Sequence, residues 1–214
     1  MTASPLHVAD AGELDGIDGI DALHAAHGAG RVDLDAARRA AGDFLAALGI
    51  DTDSDDLRET PARMARAYAE LFTPEPLRLT TFANDEGYDE LVLARAIPFR
   101  TVCEHHLLPF SGVAHVGYLP GERIVGLSKL ARVVGHFAAR PQVQERLTKQ
   151  VADCLSTRLQ APGVGVVLEA EHSCMTLRGV RAHGAKTVTS AMLGTLREDP
   201  RSRAEFFALV GVPS

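Results

Sequence analysis

Nowhere in this sequence of 214 residues do apolar residues run for the roughly 18 uninterrupted positions of a membrane span. Acidic Asp10 and Glu13 near the start argue against a secretion signal. Cysteine is scarce: 3 residues, an odd number, which fits a reducing cytoplasm better than a disulfide framework. An excess of positive charge is also missing. The net charge of -6 and pI of about 5.8 give no general attraction for nucleic acid, so a polyanionic ligand would need a local basic cluster. Tryptophan is absent, which decides nothing. What is present, 46% apolar and 23% charged residues, is the balance of a soluble globular chain with one sizeable core, and it excludes collagen, coiled coil and wholesale disorder.

Residues 1–30 are rich in Asp, Ala, Gly and His and bury too little to offset their ordering entropy, so a mobile arm is expected there. His7, His24 and His27 read as solvated residues of that arm. Residues 31–88 read as an N-terminal helical region. Leu34, Ala37, Ala41, Phe44, Leu45 and Leu48 recur at helical spacing, with Asp33 as cap and Gly49 as stop. A second helix is expected from Thr60, as cap, and Pro61, with loop from Pro74 to the late eighties.

Residues 89–214 carry the remaining elements. Strands are expected at 91–97 and 112–119, helices at 128–139 and 141–159, a half-buried strand at 163–171 and a fourth strand at 186–196. Two strands, two helices and two strands after a helical start make an α+β chain.

The densest chemistry is Cys103-Glu104-His105-His106, with His172-Ser173-Cys174 far downstream. If the strand before it continues, His172, Cys174, Thr176 and Arg178 share one face. Cys103, His106 and Cys174 could hold a metal with one position left open for water, the pattern of a catalytic zinc site. Spacing alone leaves two other readings standing, buried thiols or a disulfide. Cys154 falls beside the apolar stripe of its helix and reads as core. His115 reads as packed or exposed, and His136 as a partner of its own helix-end carbonyls.

In Gly126-Leu127-Ser128-Lys129-Leu130-Ala131-Arg132, Ser128 can cap a helix whose first turn carries two cations. Cations there oppose the helix dipole, an arrangement that a bound phosphate would explain and a solvated basic patch would not require. Glu145 stands four residues before Lys149, so a surface ion pair competes with a carboxylate grip on the N1–H and 2-amino group of guanine.

The motifs TVCEHHLLPFSG, GLSKLARVV, ARPQVQERLTKQ and EHSCMTLRGV, in this order, resemble those of type I GTP cyclohydrolases. LRETPARMARAY and KTVTSAMLG extend the resemblance over roughly residues 58–210. It implies the tunnelling fold, an antiparallel four-stranded sheet with a helix pair, preceded here by N-terminal helices and assembled as a toroidal homodecamer with active sites at subunit interfaces.

It also implies zinc held by Cys103, His106 and Cys174, with an activated water attacking C8 of GTP. His172 would donate a proton to the imidazole-ring nitrogen, and His105 would assist proton transfer. Glu145, with Gln144 beside it, would hold guanine. Ser128, Lys129, Arg132 and Arg178, with Arg63 as a further candidate, would hold the triphosphate. The products would be formate and 7,8-dihydroneopterin triphosphate, at the entry to folate and tetrahydropterin synthesis. Residues 181–185 are more apolar than a substrate loop of this kind calls for. Two other classes are weighed against this. One is an NADPH-dependent tunnelling-fold reductase with a cysteine nucleophile. The other is a catalytically idle pterin- or nucleotide-binding paralogue, against which the joint presence of His105, His172 and three ligands argues.

Overall fold

The computed structural model describes residues 12–14 and 32–211. His7, His24 and His27 lie outside them. The chain divides into two compact units, residues 17–74 and residues 1–16 with 75–214.

In the smaller unit, α1 (Leu34–Ala47) starts where Asp33 accepts a hydrogen bond from the Ala36 amide at 2.9 Å, and ends before Gly49 at φ 76. It packs on α2 (Thr60–Leu71), with Ala41, Leu45 and Ala65 buried. Thr60 is not the cap. A turn over residues 54–58 already places Glu59 in the helical region, and the Thr60 amide bonds to Leu57 O, so α2 grows out of that turn with Pro61 in its first turn.

The larger unit contains two sheets. Strand β1 (Gly12–Leu14), inside the stretch expected to be an arm, pairs antiparallel with β2 (Leu79–Ala83), which lies in the expected loop. β2 in turn pairs with a three-residue strand, β5 (Arg123–Val125).

The main sheet is built on β3 (Val92–Cys103), β4 (Pro109–Leu119), β7 (Gly163–His172) and β8 (Thr187–Gly194), all antiparallel to their neighbours. A fifth, two-residue strand, β6 (Pro141–Gln142), pairs parallel to β3. β3 outruns the apolar stretch that marked it because it carries a bulge between Ala94 and Ile97, with Ala96 at φ 53. That irregularity breaks the alternation while the pairing continues to Cys103.

Two helices cover one face of this sheet. α3 (Leu127–Ala138) begins one residue before the expected start: Gly126 is the cap, its carbonyl accepting from the Lys129 amide at 2.8 Å, and Ser128 lies inside the first turn. α4 (Gln144–Leu159) begins three residues after the expected Pro141, because 141–142 are taken into the sheet. Leu130, Val133, Val134, Phe137, Leu147, Val151 and Leu155 are all fully buried between helices and sheet. Each such side chain contributes roughly 1.5–3 kcal/mol of transfer free energy.

β7 is buried on both faces rather than half-buried. Val164, Val166 and Leu168 alternate with Val167, and Val167 joins a second cluster with Met192, Leu196, Phe206 and Val210. Leu196, Phe206 and Val210 of that cluster come from a single turn α6 (Thr195–Glu198), which takes the last two residues of the expected strand, and from α7 (Pro200–Val210) beyond it. Phe206 sits directly on Gly165 and Gly117: a Cβ at either would meet its ring at 2.8 and 3.0 Å. No helix among the described residues is long and apolar enough to cross a membrane.

Cys154 is fully buried on α4, as expected, and burial pushes its thiol up to about 11 from an ordinary value of 9.0. The thiol ionises in the unfolded chain first, so its contribution is intact below about pH 9 and lost as pH rises toward 11. We expect Cys154 to resist alkylation at about pH 8 until the protein unfolds, as read by mass spectrometry under a denaturant series.

Candidate metal centre and active site

β3 and β7 both pair antiparallel with β4, so they run in the same direction and end at the same edge of the sheet. Cys103 is the last residue of β3 and His172 the last of β7. The strand does not continue through Cys174. It gives way to one helical turn, α5 (Ser173–Thr176), so the shared face expected of His172, Cys174, Thr176 and Arg178 does not form. The turn nevertheless carries Cys174 to the cluster. One ligand atom each from Cys103, His106 and Cys174 lie within 4.8 Å of one another. Cys103 Sγ is 3.8 Å from His106 Nδ1. All three cysteines are free thiols, so the disulfide reading falls.

The donor set fits a zinc ion. Bonds of about 2.0 Å to nitrogen and 2.3 Å to sulfur at tetrahedral angles put ligand atoms roughly 3.5–3.8 Å apart, close to what the apo arrangement already has. The Cys174 thiol is pushed up by burial and by the neighbouring Cys103 sulfur.

The turn carrying the ligands is tied down from both sides. The Cys103 amide donates to Leu108 O at 2.8 Å and the Leu107 amide to Cys103 O at 2.8 Å, with Leu107 at φ 52. The Glu104 amide donates to Gln142 O on β6 at 3.0 Å. Arg146 on α4 forms an ion pair with the Glu104 carboxylate while donating to Gln142 Oε1 at 3.0 Å and Pro141 O at 3.2 Å. Gln142 is fully buried and donates to Phe137 O and Gln150 Oε1. Glu104, Arg146 and Gln142 were not singled out from the sequence; a carboxylate inside the ligand motif and an arginine inside the next one were the available signals.

His172 is held on its ring face and its edge. Its cross-strand partner Phe110 stacks on it at 4.2 Å between centroids and 11° between planes. Its Nε2 lies 2.8 Å from Gln144 Oε1. Burial lowers the pKa of the ring, and the nearby Glu145 carboxylate opposes that shift. Gln144, expected beside Glu145 at guanine, is 2% exposed and its amide is engaged within the chain. Phe110 was missed because it falls just before the strand expected at 112–119 and a phenylalanine carries no chemistry of its own to mark it.

Glu145 is exposed at the start of α4 and has no hydrogen bond or ion pair among the described residues. The ion pair expected with Lys149 does not form, since Lys149 pairs with Asp153 at 2.8 Å. His105 is exposed, its Nε2 4.0 Å from Glu104. Arg178 is exposed, and its charge acts on the Cys174 thiol. Ser128 and Arg132 are exposed and Lys129 half-buried on the first turns of α3. Arg63 is exposed on α2, in the other unit. The three α3 residues share no hydrogen bond or ion pair with the cluster among the described residues. His115 is half-buried, its Nδ1 3.4 Å from the Ala96 amide nitrogen, and burial followed by the Arg95 charge lowers its pKa. His136 bonds to the Glu75 carbonyl at 2.8 Å, on the segment before β2, rather than to its own helix.

Fold and site together define an α+β protein with a Cys103, His106 and Cys174 group that could hold a metal ion at one edge of its sheet. The profile of the GTP cyclohydrolase I family matches residues 37–211, and the chain belongs to that family. It is 53% identical over 182 residues to a GTP cyclohydrolase 1 of Rhodopirellula baltica, covering 84% of this chain and 80% of that protein. It is 51% identical over 183 residues to one of Corynebacterium glutamicum, covering 83% and 93%. Against one of Streptomyces avermitilis the identity is 54% over 188 residues, covering 85% and 92%.

Replacing Cys174 with alanine leaves Cys103 and His106 as a two-ligand remnant. The expected outcome is loss of bound zinc, by metal analysis of the purified protein, with the far-ultraviolet circular dichroism unchanged. Zinc retained in full would remove Cys174 from the ligand set.

Proposed function

We propose that this chain converts GTP to formate and 7,8-dihydroneopterin triphosphate, the first step of folate and tetrahydropterin synthesis. The observation that carries the reading is the convergence of Cys103, His106 and Cys174 beside the held ring of His172, in a chain with more than half of its aligned residues identical to those of named GTP cyclohydrolases 1.

Lewis-acid activation of water for attack at C8 of guanine is the chemistry zinc supplies when bound by the three ligands. His172 delivers a proton to the imidazole-ring nitrogen of guanine, so that the C8–N bond can open. Stacking on Phe110 restricts its ring to one plane, which supports an orienting function at the reaction centre. His105, exposed at the ligand turn, moves protons during ring opening.

Glu145 accepts the N1–H and 2-amino hydrogens of guanine in two parallel bonds, a role supported by a carboxylate with no hydrogen bond or ion pair among the described residues. Ser128, Lys129 and Arg132, at the N-terminal end of α3, hold the triphosphate together with Arg178. Arg63 is a further candidate for that task. The acidic whole and the local basic cluster are compatible, because phosphate binding depends on the field at the site.

The domain organisation in this reading is an arm at 1–30, a helical region at 31–88 and a catalytic domain at 89–214. We take the working form to be a homo-oligomer, a toroidal decamer with sites between subunits. Leu177 and Val180, both 71% exposed just after α5, support such a covering neighbour. Three free thiols support a cytoplasmic location.

Incubating the purified, zinc-loaded protein with GTP should give a pterin, read as fluorescence after oxidation, and a chelator should abolish it. Absence of product from zinc-loaded protein would overturn the reading. In Glu145→Ala, the preference for GTP over ATP should fall by roughly 10–100-fold, the worth of one bidentate pair. Unchanged discrimination would remove Glu145 from guanine recognition.

A further inference from the structure

The hydrogen bonds around Gln144 fix which atom donates at every step. Gln144 Nε2 lies 3.2 Å from Leu168 O, 2.9 Å from Thr187 O and 3.2 Å from Thr189 Oγ1. Two of these are main-chain carbonyls, which only accept, so the amide nitrogen must be the end that faces them. The third is settled by its neighbours. Thr148 Oγ1 donates to Gln144 O at 2.7 Å, so at its 2.6 Å contact with Thr189 Oγ1 it can only accept. Thr189 therefore gives its hydrogen to Thr148 and keeps a lone pair for Gln144. Gln144 is 2% exposed and Thr148 1%, so water cannot readily relieve a mismatch in this chain of bonds.

The other end of the amide is then Oε1, which has no hydrogen to give. It lies 2.8 Å from His172 Nε2. Nε2 must carry a hydrogen, and the neutral ring must have its lone pair on Nδ1, which takes no hydrogen bond among the described residues. Phe110, 1% exposed and stacked on the ring, opposes a ring flip, which would put Cε1 in place of Nε2 against the Gln144 amide.

We infer that Gln144 is a positioning residue. By holding His172 Nε2–H, it fixes the imidazole in one tautomer and leaves Nδ1, with its lone pair, as the ring nitrogen that can contact a ligand. Its amide is spent on Leu168, Thr187, Thr189 and His172, which leaves no side-chain group for guanine. The inference rests, for its catalytic consequence, on the proposed part of His172 as proton donor. The tautomer itself does not depend on that.

Two measurements test it. The first is solid-state 15N NMR of histidine-labelled, zinc-loaded protein without substrate, at about pH 8, above the ordinary histidine range. The His172 signals are identified by difference against His172→Asn. The expected result is a protonated Nε2 and an unprotonated Nδ1; a protonated Nδ1 with a bare Nε2 overturns the inference, whatever the activity of the protein. The second is steady-state kinetics of zinc-loaded Gln144→Met. We expect kcat to fall at least ~10-fold, a part of what an oriented general acid contributes, with KM for GTP changed less than about three-fold. A raised KM with intact kcat would make Gln144 a substrate contact and overturn the assignment. Should Gln144→Met fail to fold, the tautomer of the unaltered protein still decides.

Discussion

Pairing β4 with β3 on one side and β7 on the other is the constraint on which the site depends. Two antiparallel pairings in succession make β3 and β7 co-directional, so residues more than sixty positions apart finish at one edge of the sheet. The ladder from Phe110–His172 to Leu119–Gly163 runs without a slip, and a one-residue slip would turn His172 to the opposite face. The glycine at 112 lets the strands approach in that ladder: a Cβ there would stand 1.9 Å from Glu169 O. Registry of the sheet and assembly of the ligand set are thus one structural event.

Two layers of support then separate the tasks of the two strand ends. At the β3 end, an ion pair and a buried glutamine tie the ligand turn to β6 and to the start of α4. At the β7 end, an uncharged amide and a phenylalanine ring hold the histidine. Neutral partners suit the proton-donor role proposed for His172, because a fixed charge in contact would favour one protonation state. Glu145, one residue along from Gln144 but exposed, supplies charge nearby without touching the ring. Adjacent helix positions point about 100° apart, which is how one short segment serves both interior and pocket.

The group of three candidate ligands was legible in the sequence because its chemistry is unusual. A Cys-x-x-His pair with a distant His-x-Cys has few physical readings, and the sheet topology had only to bring them together. Helix periodicity located α1, α3 and α4 to within one to three residues, since each has an apolar stripe against a partner. Short pieces escaped: β2, β5 and β6 have five residues or fewer, too few for alternation to register. The double-sided burial of β7 escaped as well, because it depends on α7, whose weak stripe gave no warning that Phe206 would be fully buried. Gln144 and Phe110 could not be read at all from residue type. A buried glutamine and a core phenylalanine become informative only when the atoms they face are known.

Phe206 over Gly117 and Gly165 shows how tightly the far side of the sheet is shaped. The three positions share one volume, filled from the helix rather than from the strands. Side-chain bulk could in principle be redistributed among them, an alanine on a strand matched by a smaller residue on the helix, but none can grow alone. Sequence drift at this triad is therefore a correlated walk, and a graft of α7 from a relative would succeed only with a strand pair cut to the same pattern.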